Sequence, residues 1–361
     1  MVGGSDLAGF RPAGCGEALM KALRPITIVG GGLAGLSLGI GLRREGVETH
    51  VLEAGHYPRH RVCGEFITGL APSTIDALGI EPAFAGAGSL GTATFFLDGR
   101  AIGRYDLPAP ARALSRYALD ARLAGLFMEA GGQLSTDHRV EPQARGDGWV
   151  RTTGRKRTGA SPWMGLKLHA RRLSTVDALE MHLGDRAYIG LSRVEDGWIN
   201  VCGLFHRRPG VRSDRQNALS SWMRACGLGD LAARIEAAEI RPGSQTAVAG
   251  FGFDRQICAP DEVELGDANV MIPPFTGNGM AMAFDSAALA LKPLVAWARG
   301  CSSWHDTARV IRAYSDREFK CRLACAASLH PFLLKPVGQH CLGAAARAGL
   351  LPVGALYRLL H

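Results

Sequence analysis

The chain has 361 residues, with 41 Lys plus Arg against 33 Asp plus Glu and a formal charge of +8. Hydrophobic residues make up 47% and charged residues 20%, which excludes a disordered chain. The length suits about two domains, with cores large enough to need no disulfide or metal staple. Only six residues are Lys, so the basicity is almost all Arg. No basic tract is interleaved with aromatics, which argues against a nucleic-acid partner. Acidic substrates and anionic lipid surfaces stay open as partners for the excess charge.

Nine cysteines are scattered without a repeated spacing. Cys321 and Cys325 lack a second pair, so free thiols in a reducing cytosol are expected and zinc is not. Residues 1–24 contain Asp6 and Glu17 and no continuous apolar run, and read as a flexible leader rather than a signal peptide. No stretch reaches ~18 uninterrupted apolar residues, so no spanning helix is expected.

In chain order, residues 25–29 read as a buried strand, Gly30-Gly31-Gly32 as its break and residues 33–45 as a helix. Residues 48–53 form the next strand, completing a β-α-β unit with a parallel sheet. A short helix follows Pro72. Residues 92–106 look like strands paired around Asp98-Gly99, and residues 115–130 like a helix ended by Gly131-Gly132. From 164 to 205 the period is two. Four antiparallel strands are expected there, at 164–169, 177–183, 187–192 and 198–205, with a hairpin turn at Glu195-Asp196-Gly197. Helices return at 214–237. Strands at 263–265 and 269–272 then precede a long helix over 277–297, and the rest is helical.

Gly30-x-Gly32-x-x-Gly35 stands between a strand and a helix. The glycines allow a tight turn, close approach of backbone to a pyrophosphate, and close helix–strand packing, with the helix start at Leu33 and Ala34 facing the phosphates. Glu53 closes the second strand, where an acid accepts ribose hydroxyls.

A second motif lies far downstream: Leu265-Gly266-Asp267-Ala268, then Met271 to Met280 with Pro273, Pro274, Gly277, Asn278 and Gly279, then a long helix. With these two motifs in this order, the sequence resembles FAD-dependent oxidoreductases with the glutathione-reductase-like fold. That resemblance implies that Asp267 binds the ribityl chain of FAD and that the turn through Pro274 and Gly277 passes the flavin pyrimidine. Residues 57–65, Tyr-Pro-Arg-His-Arg-Val-Cys-Gly-Glu, look like the Pro-x-x-Lys-x-Cys-Gly segment of geranylgeranyl reductases and related aromatic hydroxylases, and bring in Arg61. Arg116-Tyr117-Ala118-Leu119-Asp120 is similar to their Arg-x-x-Leu/Phe-Asp helix start, whose Arg lies near the FAD phosphates. Further short segments, 63–67, 165–169 and 200–205, resemble flavoproteins that accompany type III polyketide synthases. The mid-chain Asp-Gly motif of the family is reduced here to Thr153-Gly154-Arg155, with no Asp and no clear apolar strand before it. The Trp-x-Trp-x-Ile-Pro signature of flavin halogenases is absent, and so is a second Gly-rich β-α-β unit for a nicotinamide.

The expected architecture is therefore α/β: a glutathione-reductase-like, doubly wound FAD-binding domain from residues 25–80, 112–163 and 245–330, a substrate domain built on an antiparallel β-sheet from 81–111 and 164–244, and a helical C-terminal tail at 331–361. The leading expectation is a monooxygenase hydroxylating a hydrophobic phenolic or polyketide-type aromatic with FAD, NAD(P)H and O2. Isoprenoid alkene reduction is the alternative, and a degenerate flavoprotein acting as a non-catalytic partner the third. Cys63 and Glu65, close to the expected flavin, and Lys167 and His169, on one face of a strand, are the candidate catalytic residues. Trp198, Asn200 and Cys202 share a face by the same alternation, and His182 and Tyr188 are weaker candidates. The tail has Lys335, Arg347 and Arg358 and no acid, which suits peripheral contact with an anionic membrane. The expected location is cytoplasmic, with the tail at the inner face of the membrane.

Overall fold

The computed structural model describes residues 22–156, 161–214, 216–253, 256 and 259–360. Of the expected leader, residues 1–21 lie outside the described residues.

The first layer is a five-stranded, all-parallel sheet. β1 (Ile26–Val29), α1 (Leu33–Arg44) and β2 (Thr49–Leu52) form the expected β-α-β unit. The apolar residues of β1 and β2 are buried, as a sheet covered on both faces requires. Next in the chain come β3 (Phe66–Ile67), α2 (Pro72–Leu78), β4 (Gly88–Leu97), β5 (Arg100–Ala113) and α3 (Arg116–Glu129). Ser115 caps α3 by accepting from the Ala118 N–H at 3.0 Å. β6 (Gln133–Ser135) and β7 (Trp149–Arg151) then join the parallel sheet beside β2 and β1. So an apolar strand does precede Thr153. Only Val150 of its three residues is fully buried, too short a signal for periodicity to register.

The second layer is a nine-stranded, mostly antiparallel sheet. β8 (Trp163–Arg171), β9 (Leu179–Gly184), β10 (Ala187–Arg193) and β11 (Ile199–His206) are the four period-two strands. α4 (Ala218–Ala225) and α5 (Gly229–Glu236) cover its outer face with Leu219, Trp222, Met223, Leu231 and Ile235. β12 (Glu239–Ile240) and β13 (Thr246–Phe251) both pair with β8. The stretch 246–251, expected within the FAD-binding segments, therefore runs in the other sheet.

β14 (Val263–Glu264) returns to the parallel sheet beside β7. The strand expected at 269–272 does not form. Gly266–Ala268 makes a turn of 3₁₀ helix instead, and Asn269 N–H closes back on Gly266 O, so the apolar run Val270–Ile272 packs as irregular chain. α6 (Gly279–Ala298) is long and apolar enough to cross a membrane by composition, yet 67% of its apolar window is buried against α1, α2 and α7. It is the core helix of this layer. α7 (Trp304–Leu334) runs past the expected start of the tail, and α8 (Pro336–Arg347) and α9 (Val353–Leu360) complete the chain.

Candidate functional site

The glycine turn after β1 separates three physical roles. Gly30 has φ +108°, and a Cβ there would lie 2.5 Å from Thr152 O. At Gly35 a Cβ would meet Gly30 O at 2.1 Å, so this glycine lets α1 press onto the turn. Gly32 differs, because a Cβ there would meet none of the described residues within 4 Å. No side chain caps α1, and no acid sits in its first turn. Its N–H groups at Leu33 and Ala34 thus face a cradle of the kind that takes a phosphate.

Glu53, nearly sealed from water, accepts from Gly31 N–H at 2.7 Å and Gly55 N–H at 2.9 Å, and pairs with Arg59. Burial alone lifts its carboxyl, but the Arg59 and Arg61 guanidiniums and the two N–H groups outweigh it and hold the group below the usual carboxylate range. Tyr57, which sequence reasoning did not single out for a role, donates its hydroxyl to Gly31 O and holds the turn from outside.

The downstream motif meets the upstream one directly. A Cβ at Gly266 would lie 3.3 Å from the Ala34 Cβ. Asp267 reaches solvent through a crevice it shares with Gly266, Gly279 and Met282. Protein crowds its other sides and lifts its carboxyl to about 6, with Arg116 and Arg155 pulling the other way. Gly277 has φ +69°, and a Cβ there would meet Phe66 Cε2 at 2.2 Å. Its lack of a side chain is demanded by Phe66. Pro274 opens the preceding 3₁₀ turn, and Met280 is buried in the first turn of α6. Asn278 is fully buried, donates Nδ2 to Leu360 O, and leaves Oδ1 without a partner among the described residues. α6 also starts without a side-chain cap or an acid in its first turn.

Between the two motifs, Arg116 grips Asp120 through two hydrogen bonds of 2.7 and 2.8 Å, and Arg61 Nε reaches the same carboxylate at 3.0 Å. Asp120 is fully buried and anchors both guanidiniums. Gly154 stands at φ +77°, and among the described residues nothing lies within 4 Å of a Cβ there. The open cradle at Gly32, the uncapped helix starts, Glu53 and the crevice-facing Asp267 fit a dinucleotide with a ribityl arm. The residues present therefore fit FAD.

The four candidate catalytic residues come together. Lys167 Nζ donates to Glu65 Oε1, His169 Nε2 lies 2.6 Å from Glu65 Oε2, and Arg116 N–H adds a bond of 2.8 Å. All three side chains are fully buried. Burial pushes the Glu65 carboxyl up, but Lys167 and His169 outweigh it and hold it low. Arg61, two residues before Cys63, pairs with Asp120 and Glu53. The cluster braces the loop that carries Cys63; His169 Nδ1 has no hydrogen-bond partner among the described residues, and its ring meets His60 edge-on at 4.8 Å. Asn200 Nδ2 holds that loop by Cys63 O at 3.0 Å and Gly64 O at 2.8 Å, and Ser192 Oγ adds a third bond to Gly64 O. Burial raises the Cys63 thiol and pushes Cys202 up to about 12, so both are neutral thiols. His182 lies with Glu180 elsewhere on β9, at 2.8 Å, stacked on Phe96. Trp198 falls just before β11 and lies under Arg171 and Arg241.

One face of the large sheet grades from this polar cluster to an aromatic wall. Ser192, Gly190 and Tyr188 alternate along β10 opposite Asn200, Cys202 and Leu204 of β11. At Gly190 the face carries no side chain, and a Cβ there would meet only Cys202 O, at 3.9 Å, among the described residues. Beyond it stand Tyr188, Trp163, Phe251 and Phe253, met by Phe275 from the turn before α6 and by His330 from α7. Sequence reasoning missed His330, which no local motif marks, and gave Phe275 no role although it lies within the motif from Met271 to Met280.

Comparison with known proteins agrees with this geometry. Residues 24–160 match the FAD binding domain family. No curated protein matches by sequence. Among solved structures, the flavin-dependent brominase Bmp2 is similar at 18% identity, covering 93% of this chain and 92% of that one, with a TM-score of 0.71. p-Nitrophenol 4-monooxygenase PnpA from Pseudomonas putida DLL-E4 is similar at 13% identity over 94% and 97%, with a TM-score of 0.72. Klebsiella pneumoniae HpxO, solved with FAD and uric acid, is similar at 15% identity over 93% and 96%, with a TM-score of 0.70. Residues 24–160 thus resemble an FAD binding domain, and over more than nine-tenths of its length the chain shares the fold of Bmp2, PnpA and HpxO.

Proposed function

We propose that the protein is an FAD-dependent monooxygenase that hydroxylates a hydrophobic aromatic substrate, using NAD(P)H and O2. The observation that carries this reading is the aromatic wall of Trp163, Tyr188, Phe251, Phe253 and Phe275, set beside the turn that leads into α6. Flat rings stack and pack edge to face against such a surface. Bound FAD supplies hydride acceptance and oxygen activation. The chain's own part is to bind, orient and exclude water. Gly32 and the α1 N–H groups take the pyrophosphate, Glu53 the ribose and Asp267 the ribityl hydroxyls. The N–H groups at the start of α6 favour negative charge at the pyrimidine end. The Glu65, Lys167 and Asn200 bonds fix the Cys63 loop against the sheet. With no second Gly-rich β-α-β unit in the sequence, the nicotinamide acts as a transient reductant. The names of PnpA and HpxO's uric acid complex, both pointing to planar rings, support the substrate class.

The exposed apolar and basic residues of the tail support a reading in which a cytoplasmic enzyme receives an apolar substrate from the inner face of an anionic membrane. Phe332, Val337, Leu350 and Leu359 are exposed among basic residues with no acid.

The test is to purify the protein, measure bound FAD, and follow NAD(P)H oxidation and oxygen uptake with a panel of alkylphenols. Substrate-stimulated oxygen uptake with a hydroxylated product is expected. Anaerobic reduction of an isoprenoid alkene, or product formation that requires bromide, would replace this reading, and a colourless protein would defeat it.

A further inference from the structure

His330 is a polar side chain set into an aromatic enclosure. Its imidazole lies 5.3 Å from Trp163, 5.0 Å from Phe253, 5.9 Å from Phe275 and 6.0 Å from Tyr188, ring centroid to ring centroid. It is 7% exposed, and its Nε2 has no hydrogen-bond partner among the described residues. An orphaned buried nitrogen costs about 1–3 kcal/mol unless something pairs with it. Core packing alone does not account for it, because a Phe or Leu would fill an aromatic enclosure without that cost. The position also matters. Phe275, stacked on the imidazole at 10°, belongs to the turn that leads into α6, and Tyr188 lies one alternation along β10 from the bare strip at Gly190.

We propose that His330 is the hydrogen-bond anchor for a ring hydroxyl, so that the substrate is a hydroxyaromatic whose phenolic oxygen pairs with Nε2 while its ring lies against Tyr188 and Phe275. This rests on the monooxygenase reading and narrows it from hydrophobic aromatics to phenols. A hydroxyl both donates and accepts, so it satisfies Nε2 in either tautomer. Burial lowers the imidazole to about 4, which keeps the ring neutral and suits it to a neutral phenol rather than an anion.

The experiment compares 3-pentylphenol with 3-pentyltoluene, which keeps the size and removes both the donor and the acceptor. Binding is read by quenching of tryptophan fluorescence, since Trp163 lies against the site, with FAD content measured on the same samples. Wild-type protein is expected to prefer the phenol by about tenfold, the value of one net buried hydrogen bond. His330→Phe should bind both probes alike with its FAD content unchanged, and His330→Gln should keep part of the preference. Equal binding of the two probes by the wild type, no binding of the phenol, or a preference that survives in His330→Phe would overturn the proposal. Should His330→Phe fail to fold, His330→Gln and the wild-type ratio still decide it. The two readings fail separately. A yellow protein active on aromatics without the His330-dependent preference defeats only the anchor, and a colourless protein with that preference defeats only the flavin reading.

Discussion

His169 Nε2 stands 2.6 Å from Glu65 Oε2, and neither side chain touches solvent. With Lys167 on the other oxygen, a sheet strand and a distant loop are joined by buried charges. Removing one partner of such a cluster leaves the other charge stranded, at about 3–5 kcal/mol. Glu65→Gln should therefore lose stability of that order in urea unfolding at pH 7, and adding Lys167→Met should restore much of it. The Glu65 carboxyl is held below its ordinary 4.5, so its contribution is complete above that pH and is lost as pH falls below it. The gap between wild type and Glu65→Gln should shrink accordingly in acid. A Glu65→Gln protein as stable as wild type at pH 7 would show that the cluster does not brace the fold.

Gly32 and Gly35 make opposite predictions within one turn. A Cβ at Gly32 meets nothing within 4 Å, and its φ of −88° suits any residue, so Gly32→Val should fold with a normal melting curve. It should lose FAD affinity by at least about tenfold, because the side chain occupies the phosphate cradle. At Gly35 a Cβ would press on Gly30 O at 2.1 Å and Thr152 Oγ1 at 2.5 Å. Gly35→Ala should lower the melting temperature of the apoprotein itself. A full flavin complement in Gly32→Val would mean that the pyrophosphate lies elsewhere.

The glycine turn, Glu53 and the period-two strands are legible in the sequence because each is a local signal: one short motif, or one alternation within a strand. What was not legible is long-range or too short. Glu65 meets Lys167 across 102 positions, and no spacing rule announces that contact. β7 is only three residues long, and its place in the sheet comes from pairing with β1 and β14. The apolar run at 270–272 has the composition of a strand, but the turn at Gly266–Ala268 removes its sheet partner. His330 sits in a long helix with a mixed face, and only the enclosure around it marks it.

Asp267 trades stability against binding. Crowding by protein raises its carboxyl from 3.8 to about 6, so the ionised form is disfavoured in the folded apoprotein. The folded state holds its proton more tightly than the unfolded state, and stability therefore falls as pH rises from 3.8 to about 6. Asp267→Asn should be the more stable apoprotein at pH 7, by a modest margin because the carboxyl reaches solvent, and the difference should vanish below pH 4. The same variant should bind FAD more weakly, since the charge-assisted bonds to the ribityl hydroxyls are lost. A flavin affinity equal to wild type would remove Asp267 from the cofactor site.

The membrane contact proposed for the tail is tested at its surface, because the tail's inner side belongs to the core. Leu334 and Leu360 are buried, Gln339 Nε2 donates to Gly184 O at 2.7 Å, and Asn278 Nδ2 donates to Leu360 O. Cutting the chain near Ser328 would remove all of these together with His330, so a truncated protein would unfold for reasons unrelated to lipid. Point changes avoid this. Val337 is 77% exposed and Leu350 74%, and Lys335 and Arg347 are exposed as well. Exposed substitutions of this kind shift stability by no more than about 0.5 kcal/mol. Intact protein should sediment with phosphatidylglycerol vesicles at low salt and release in ~0.5 M NaCl, where the charge attraction is screened. Val337→Ser with Leu350→Ser should weaken sedimentation at every salt concentration, because it removes apolar area. Lys335→Glu with Arg347→Glu should abolish it at low salt. If the wild type ignores anionic vesicles, or if both double variants sediment like wild type, the tail closes the fold and does not dock on lipid.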